Sequence, residues 1–136
     1  MKSERKGNRI LLVDDETDIT TLFTIALEEA GFIVHAYNDP LIALSEFKPG
    51  YYDLAILDIK MQEMSGFELY ANIRKVDNQV KFCFITAGEM YYDKVRKAKR
   101  EDGEEPYCKL NTERFLQKPI SNVELLETID KVMMQR

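Results

Sequence analysis

Asp14-Asp15, Asp58, Thr86 and Lys118 are the residues whose types could do chemistry together, because each follows a short, mostly apolar run. The runs are Arg9-Ile10-Leu11-Leu12-Val13, Leu54-Ala55-Ile56-Leu57, Phe82-Cys83-Phe84-Ile85 and Phe115-Leu116-Gln117. Short continuous runs of this kind read as strands buried on both faces. In an open α/β sheet, ligands bind beyond the carboxyl ends of the strands, where the strand order reverses. Four polar signals at successive strand ends therefore converge on one crevice.

Three carboxylates held within a few ångström repel one another and raise one another's pKa unless a cation sits among them. Oxygen ligands without His or Cys suit a hard ion, Mg²⁺ or Mn²⁺. Such an ion coordinates the oxygens of an incoming phosphoryl group while it neutralises the acids. A carboxylate can itself be the nucleophile and form an aspartyl-phosphate. Lys118 adds a fixed positive charge and Thr86 a hydroxyl, and charge-assisted hydrogen bonds from such groups are worth roughly 1.5–3 kcal/mol each.

The elements that must position these groups alternate from start to end. Ile19, Leu22, Phe23, Ala26, Leu27 and Ala30 recur at helical spacing, and Gly31 closes that helix as a C-terminal cap. Phe32-Ile33-Val34-His35-Ala36-Tyr37 is strand-like, with His35 as a structural residue. Asp39-Pro40 places a capping carboxylate before a proline at the first helical position, and Leu41, Leu44 and Phe47 carry that helix to Pro49-Gly50. Helical spacing of Phe67, Tyr70 and Ile73 marks a third helix over residues 66–75. A fourth is expected over residues 89–100, and the last opens with the capping box Ser121-Asn122-Val123-Glu124, with Val123, Leu126, Ile129 and Met133 toward the core. Five strands alternating with five helices predict an α/β, doubly wound, parallel sheet covered on both faces. Residues 101–113 follow neither period.

Composition sets the outer bounds. The chain has 136 residues, 45% hydrophobic and 32% charged, the balance of one globular domain. Its polar opening, residues 1–8, lacks the apolar stretch of a signal peptide, and no run reaches the ~20 apolar residues of a membrane span. No membrane insertion and a cytoplasmic location are expected. Cys83 sits in an apolar run and Cys108 in a polar one, so two reduced, unpaired thiols are expected. A net charge of -5 argues against DNA binding through the whole surface. The basic run Lys94-Val95-Arg96-Lys97-Ala98-Lys99-Arg100 is offset by Glu101, Asp102, Glu104 and Glu105, which favours a solvated or partner-binding face. Tyr91, Tyr92 and Tyr107 nearby suit a protein interface.

Val13-Asp14-Asp15-Glu16, Leu57-Asp58 with Met61 and Gly66 following, Phe84-Ile85-Thr86-Ala87 and Lys118-Pro119 together resemble the receiver domain of two-component response regulators. The resemblance covers residues 8–135. It implies a flavodoxin-like (βα)5 fold with strand order 2-1-3-4-5, the receiver occupying residues 9–135. It implies Asp58 as phosphoacceptor, with Asp15 and Asp58 as direct Mg²⁺ (or Mn²⁺) ligands, the Lys60 carbonyl as a third and Asp14 acting through water. Thr86 would contact the phosphoryl oxygens, Ala87 would leave access to the acyl phosphate, and Lys118 would pair with the phosphate. Phe115 matches the aromatic switch, and the Lys118-Pro119 bond would be cis. The implied partners are a sensor histidine kinase or a histidine phosphotransfer protein. Output would pass to a downstream protein or a homodimer through the fourth helix, fifth strand and last helix.

Two departures stand out. Gln62 follows Met61 where the family usually has proline, which loosens the loop without removing a chemical group. The interval from Thr86 to Lys118 is longer than the family's, an enlargement assigned to roughly residues 100–113 between the fourth helix and fifth strand. Lys60 and Gly88 stand where the family tunes hydrolysis, and a lysine able to shield the phosphoryl group predicts slow self-dephosphorylation. Two rivals use the same fold. A phosphorylation-independent pseudo-receiver is opposed by the intact Asp14, Asp15, Asp58, Thr86 and Lys118. A Mg²⁺-dependent phosphatase is opposed by Lys60, which stands where such enzymes carry a second aspartate, so no turnover of external substrates is expected.

Overall fold

A computed structural model describes residues 8–87 and 115–134 of the chain. Strands β1 (Arg9–Val13), β2 (Ile33–Tyr37), β3 (Leu54–Asp58), β4 (Lys81–Thr86) and β5 (Phe115–Gln117) form one sheet in the order β2-β1-β3-β4-β5. Every pairing is parallel. The reversal of strand order falls between β1 and β3, whose registers pair Val13 with Leu57 and so bring Asp14 beside Asp58. The expected fold class and strand order are therefore the observed ones. The expected helix over residues 89–100, the enlargement at 100–113, Gly88, Tyr91, Tyr92, Tyr107 and Cys108 lie outside the described residues.

Alternation along the strands divides the core in two, since successive strand side chains point to opposite faces. Leu11, Val13, Ala55, Leu57, Phe82 and Phe84 pack under helix α3 (Gly66–Val76), with Ala43 of α2 (Pro40–Ser45) in the same cluster. Ile10, Leu12, Leu54, Ile56, Cys83 and Ile85 pack under α1 (Thr17–Glu29) and the C-terminal helix (Asn122–Met134). With helices over both faces, β3 is buried from end to end, and β1 and β4 are buried beyond their half-buried first residues, Arg9 and Lys81.

Local chemistry sets the helix limits. The Asp39 carboxylate accepts from the Leu41 N–H at 2.9 Å, with Pro40 in the first turn. Gly31 takes φ +101° just past α1, where a side chain would be strained. Reciprocal capping boxes start α3 (Ser65 with Glu68) and the C-terminal helix (Ser121 with Glu124). His35 is tied to the buried Tyr52 hydroxyl at 2.9 Å and stacks on Tyr51, as a structural residue should.

Three expectations about packing need correction. Leu22 is 59% exposed, and Ala30 and Leu41 also face outward. The second helix ends at Ser45, so Phe47 packs from the turn beyond it. In the C-terminal helix the buried stripe is Leu125, Ile129 and Val132, whereas Val123 is 65% exposed. Val123 and Leu125 lie about 200° apart around a helix, so both cannot face the sheet. Leu126 and Met133 line the margin of the core. Leu125→Ala should cost roughly 2–3 kcal/mol in urea unfolding, and Val123→Ser should stay within about 0.5 kcal/mol.

Candidate functional site

The carboxyl ends of β1 and β3 carry the acids, and short backbone bonds hold them there. The Asp14 N–H donates to the Tyr37 carbonyl at 3.1 Å, continuing the β1–β2 pairing one residue past the strand. Asn38 Nδ2 donates to the Asp14 carbonyl at 2.8 Å, and the Glu16 N–H donates to Asp14 Oδ1 at 2.9 Å. Asp58 is the last residue of β3, and the following Ile59 N–H donates to the Ile85 carbonyl at 2.8 Å. As a result Asp14, Asp15 and Asp58 offer carboxylate oxygens that all lie within 4.8 Å of one another. Asp14 is fully buried, Asp58 is 3% exposed and Asp15 faces solvent.

Lys118 closes the group from the β5 side. Its N–H donates to the Thr86 carbonyl at 2.8 Å, and the Lys118-Pro119 peptide is cis, as expected. The ammonium lies 2.6 Å from Glu16 Oε1, 3.2 Å from Asp14 Oδ2 and 3.8 Å from Asp58 Oδ2. Thr86 is buried at the end of β4, and Ala87 is exposed just after it. Phe115 is half-buried, with its ring 5.5 Å from that of Phe84 and 6.5 Å from that of Phe67. Lys60 is exposed on the loop beyond Asp58.

Burial and mutual repulsion set the electrostatics. Burial, then the Asp14 charge, pushes the Asp58 carboxyl up to about 7 against the pull of Lys118, with Asp15 adding to the rise. Burial also raises Asp14, against the Glu16 N–H bond and Lys118. For Lys118, burial disfavours the ammonium, but Glu16, Asp14 and Asp58 outweigh it and hold its pKa above the ordinary lysine range. Asp14 Oδ2 is buried and accepts no hydrogen bond among the described residues. Three clustered oxygen donors, two of them buried with raised pKa values, fit a hard divalent cation on chemical grounds.

The structure thus gathers Asp14, Asp15, Asp58 and Lys118, with Thr86, Ala87 and Phe115 along the β4–β5 side. Glu16 was missed as a member of the group. A signal was present: Glu16 occupies the N-cap of α1, where Ser, Thr, Asp or Asn is preferred, and its side chain makes no capping bond.

A doubly wound parallel sheet with clustered acids at its switch point and a lysine after β5 sets the class of α/β domain. The family model for the response regulator receiver domain matches residues 10–130, and the chain belongs to that family. It is 32% identical over 126 residues to the "Transcriptional regulatory protein CpxR homolog" of Haemophilus influenzae, covering 93% of this chain and 50% of that protein. Over 125 residues it is 27% identical to the "Transcriptional regulatory protein RprY" of Bacteroides fragilis, covering 92% and 49%. The chain therefore spans about half the length of these relatives. Among solved structures it resembles the non-phosphorylated HemR receiver domain of Leptospira biflexa, with TM-score 0.73, 26% identity and coverage of 95% and 96%. It also resembles the response regulator TrrA of Thermotoga maritima in complex with Mg²⁺-BeF, with TM-score 0.69, 31% identity and coverage of 92% and 98%.

Proposed function

We propose that the chain is a phosphoacceptor of a two-component phosphorelay, with Asp58 receiving the phosphoryl group. One observation carries the reading: three carboxylates within 4.8 Å of one another face a lysine ammonium across a parallel switch point. The donor is the phosphohistidine of a sensor kinase or of a histidine phosphotransfer protein. An Asp58 carboxylate oxygen attacks phosphorus, the P–N bond breaks, and its electron pair returns to the imidazole nitrogen, which takes a proton. Asp14, Asp15, Asp58 and the Lys60 carbonyl would hold Mg²⁺ or Mn²⁺, which supplies the positive charge that lets these acids and a phosphoryl group share one site.

The chain's own groups do the rest. Lys118 pairs with the phosphoryl oxygens, Thr86 donates its hydroxyl to them, and the small Ala87 keeps the acyl phosphate accessible. The added charge, roughly -1.5 to -2, draws Thr86 inward, and Phe115 follows within its ring cluster. The consequence is a change of protein contacts on the face that includes β5, toward a downstream partner or a second copy of the chain. Lys60 shields the phosphoryl group and slows its hydrolysis. The chain acts only on its own phosphorylation and turns over no external substrate, and it works in the cytoplasm.

Acetyl phosphate labelling followed by peptide mass spectrometry tests the reading. A hydroxylamine-labile phosphoryl group is expected on the peptide containing Asp58, formed with Mg²⁺ and abolished by EDTA. Absence of any adduct points instead to a phosphorylation-independent interaction module, and rapid turnover of phosphate esters to a phosphatase.

A further inference from the structure

Lys118 is closer to Glu16 than to either buried aspartate. Its ammonium is 2.6 Å from Glu16 Oε1, a charge-assisted hydrogen bond, but 3.8 Å from Asp58 Oδ2, beyond hydrogen-bond reach. The Glu16 side chain is 60% exposed and makes no capping bond to α1, so among the described residues this ion pair is the contact that accounts for its placement. An open recess of about 480 Å³, lined by Glu16, Thr17, Asp18 and Ile19, gives the carboxylate room to swing away from the lysine.

Resting on the phosphoacceptor reading, we propose that Glu16 is a positioning residue: it competes with the phosphoryl group on Asp58 for the single ammonium of Lys118. In the resting chain Glu16 draws that ammonium toward the rim of the site. A phosphoryl group brings about two negative charges and three strong acceptors next to Asp58, more than one exposed carboxylate offers. Lys118 then changes partner, and Glu16 turns into the recess. Breaking the resting pair opposes the phosphorylated arrangement, so Glu16 sets how readily that arrangement forms. The alternative assignment, a negative charge that merely favours the N-terminus of α1, predicts an effect on helix stability and none that depends on Lys118.

The probe is beryllofluoride, titrated at saturating Mg²⁺ and followed by ¹⁹F NMR, with urea unfolding of each variant as a control. Glu16→Gln removes the charge and keeps the shape. It should bind beryllofluoride about fivefold more tightly, the scale of one solvent-exposed ion pair. In a Lys118→Met background the same substitution should change affinity by less than about 1.5-fold, because the competitor then has nothing to hold. Unchanged or weaker binding by Glu16→Gln overturns the proposal. So does a fivefold gain that persists without Lys118, or a change confined to unfolding. If the parent chain itself takes up no beryllofluoride, the phosphoacceptor reading fails first. A parent that binds while Glu16→Gln gains nothing defeats only the role of Glu16.

Discussion

Asp58→Asn is expected to form no phosphoryl or beryllofluoride adduct, and yet to be more stable than the parent in metal-free buffer by about 2 kcal/mol near pH 8. The loss of the adduct follows from chemistry, since an amide oxygen is too poor a nucleophile, and too weak a ligand, to take the place of the Asp58 carboxylate oxygen. The gain in stability follows from the geometry. Burial and the Asp14 charge place the Asp58 pKa at about 7, above its ordinary 3.8. The folded chain thus binds a proton that the unfolded chain releases between those two values. The stabilisation from this group is complete below about pH 4 and is lost as pH rises through about 7. The interval sets a ceiling of about 4 kcal/mol, and rearrangement around the acids reduces it by about half. The asparagine side chain is isosteric with aspartate and uncharged, so the variant lacks this part of the pH dependence. Mg²⁺ should reverse the ranking: at about a hundred times its dissociation constant it adds about 2.7 kcal/mol to the parent, and less to a variant short of one ligand. Urea unfolding at pH 5 and pH 8, with EDTA and with Mg²⁺, reads all of these effects. Equal metal-free stability of parent and variant at pH 8 would falsify the electrostatic account.

The same cluster explains how much of the site was legible in the sequence. Arg9–Val13 and Leu54–Asp58 are too short for helices and too continuously apolar for a half-exposed sheet, so buried parallel strands were the one consistent reading. Once their ends were aligned, Asp14, Asp15 and Asp58 had to meet. Lys118 followed because β5 is brief and the lysine comes directly after it. What stayed hidden depends on side-chain reach and helical phase. The Glu16–Lys118 pair joins residues 102 positions apart through two flexible side chains, and no periodicity encodes it. In the C-terminal helix, two apolar stripes share Ile129, and only docking against Ile85 and Leu116 selects the one with Leu125 and Val132. Asp53 is a further case: its buried carboxylate accepts from the Arg9 N–H at 2.9 Å, tying β1 to the start of β3, and nothing in its neighbours marks it for that task.

Gly66→Ala should be the most damaging alanine substitution among the described glycines, costing about 3–4 kcal/mol and slowing adduct formation at least about tenfold. The reason is a close approach rather than an unusual backbone angle. Gly66 opens α3, and its N–H donates to the Ile59 carbonyl at 2.8 Å, which folds the loop carrying Lys60, Met61 and Gln62 back over Asp58. A Cβ there would fall well inside contact with the Asp58 carbonyl oxygen, and would sit 3.0 Å from both the Asp58 carbonyl carbon and the Ile59 Cα. All three atoms belong to backbone, so no side-chain rotation relieves the overlap. Either α3 lifts from the sheet, loosening Phe67 and Tyr70 from Phe82 and Phe84, or the peptide after Asp58 shifts. Both routes strain the same place, because Asp58 and the helix contact share one stretch of chain. A one-ångström displacement of a reacting group is enough to cost two orders of magnitude in rate. Gly31→Ala is the control: its Cβ meets nothing within 4 Å, so any cost there comes from its φ of +101° and leaves adduct formation unchanged. Urea midpoints and acetyl phosphate labelling rates for the two variants, side by side, separate crowding at Asp58 from glycine loss in general.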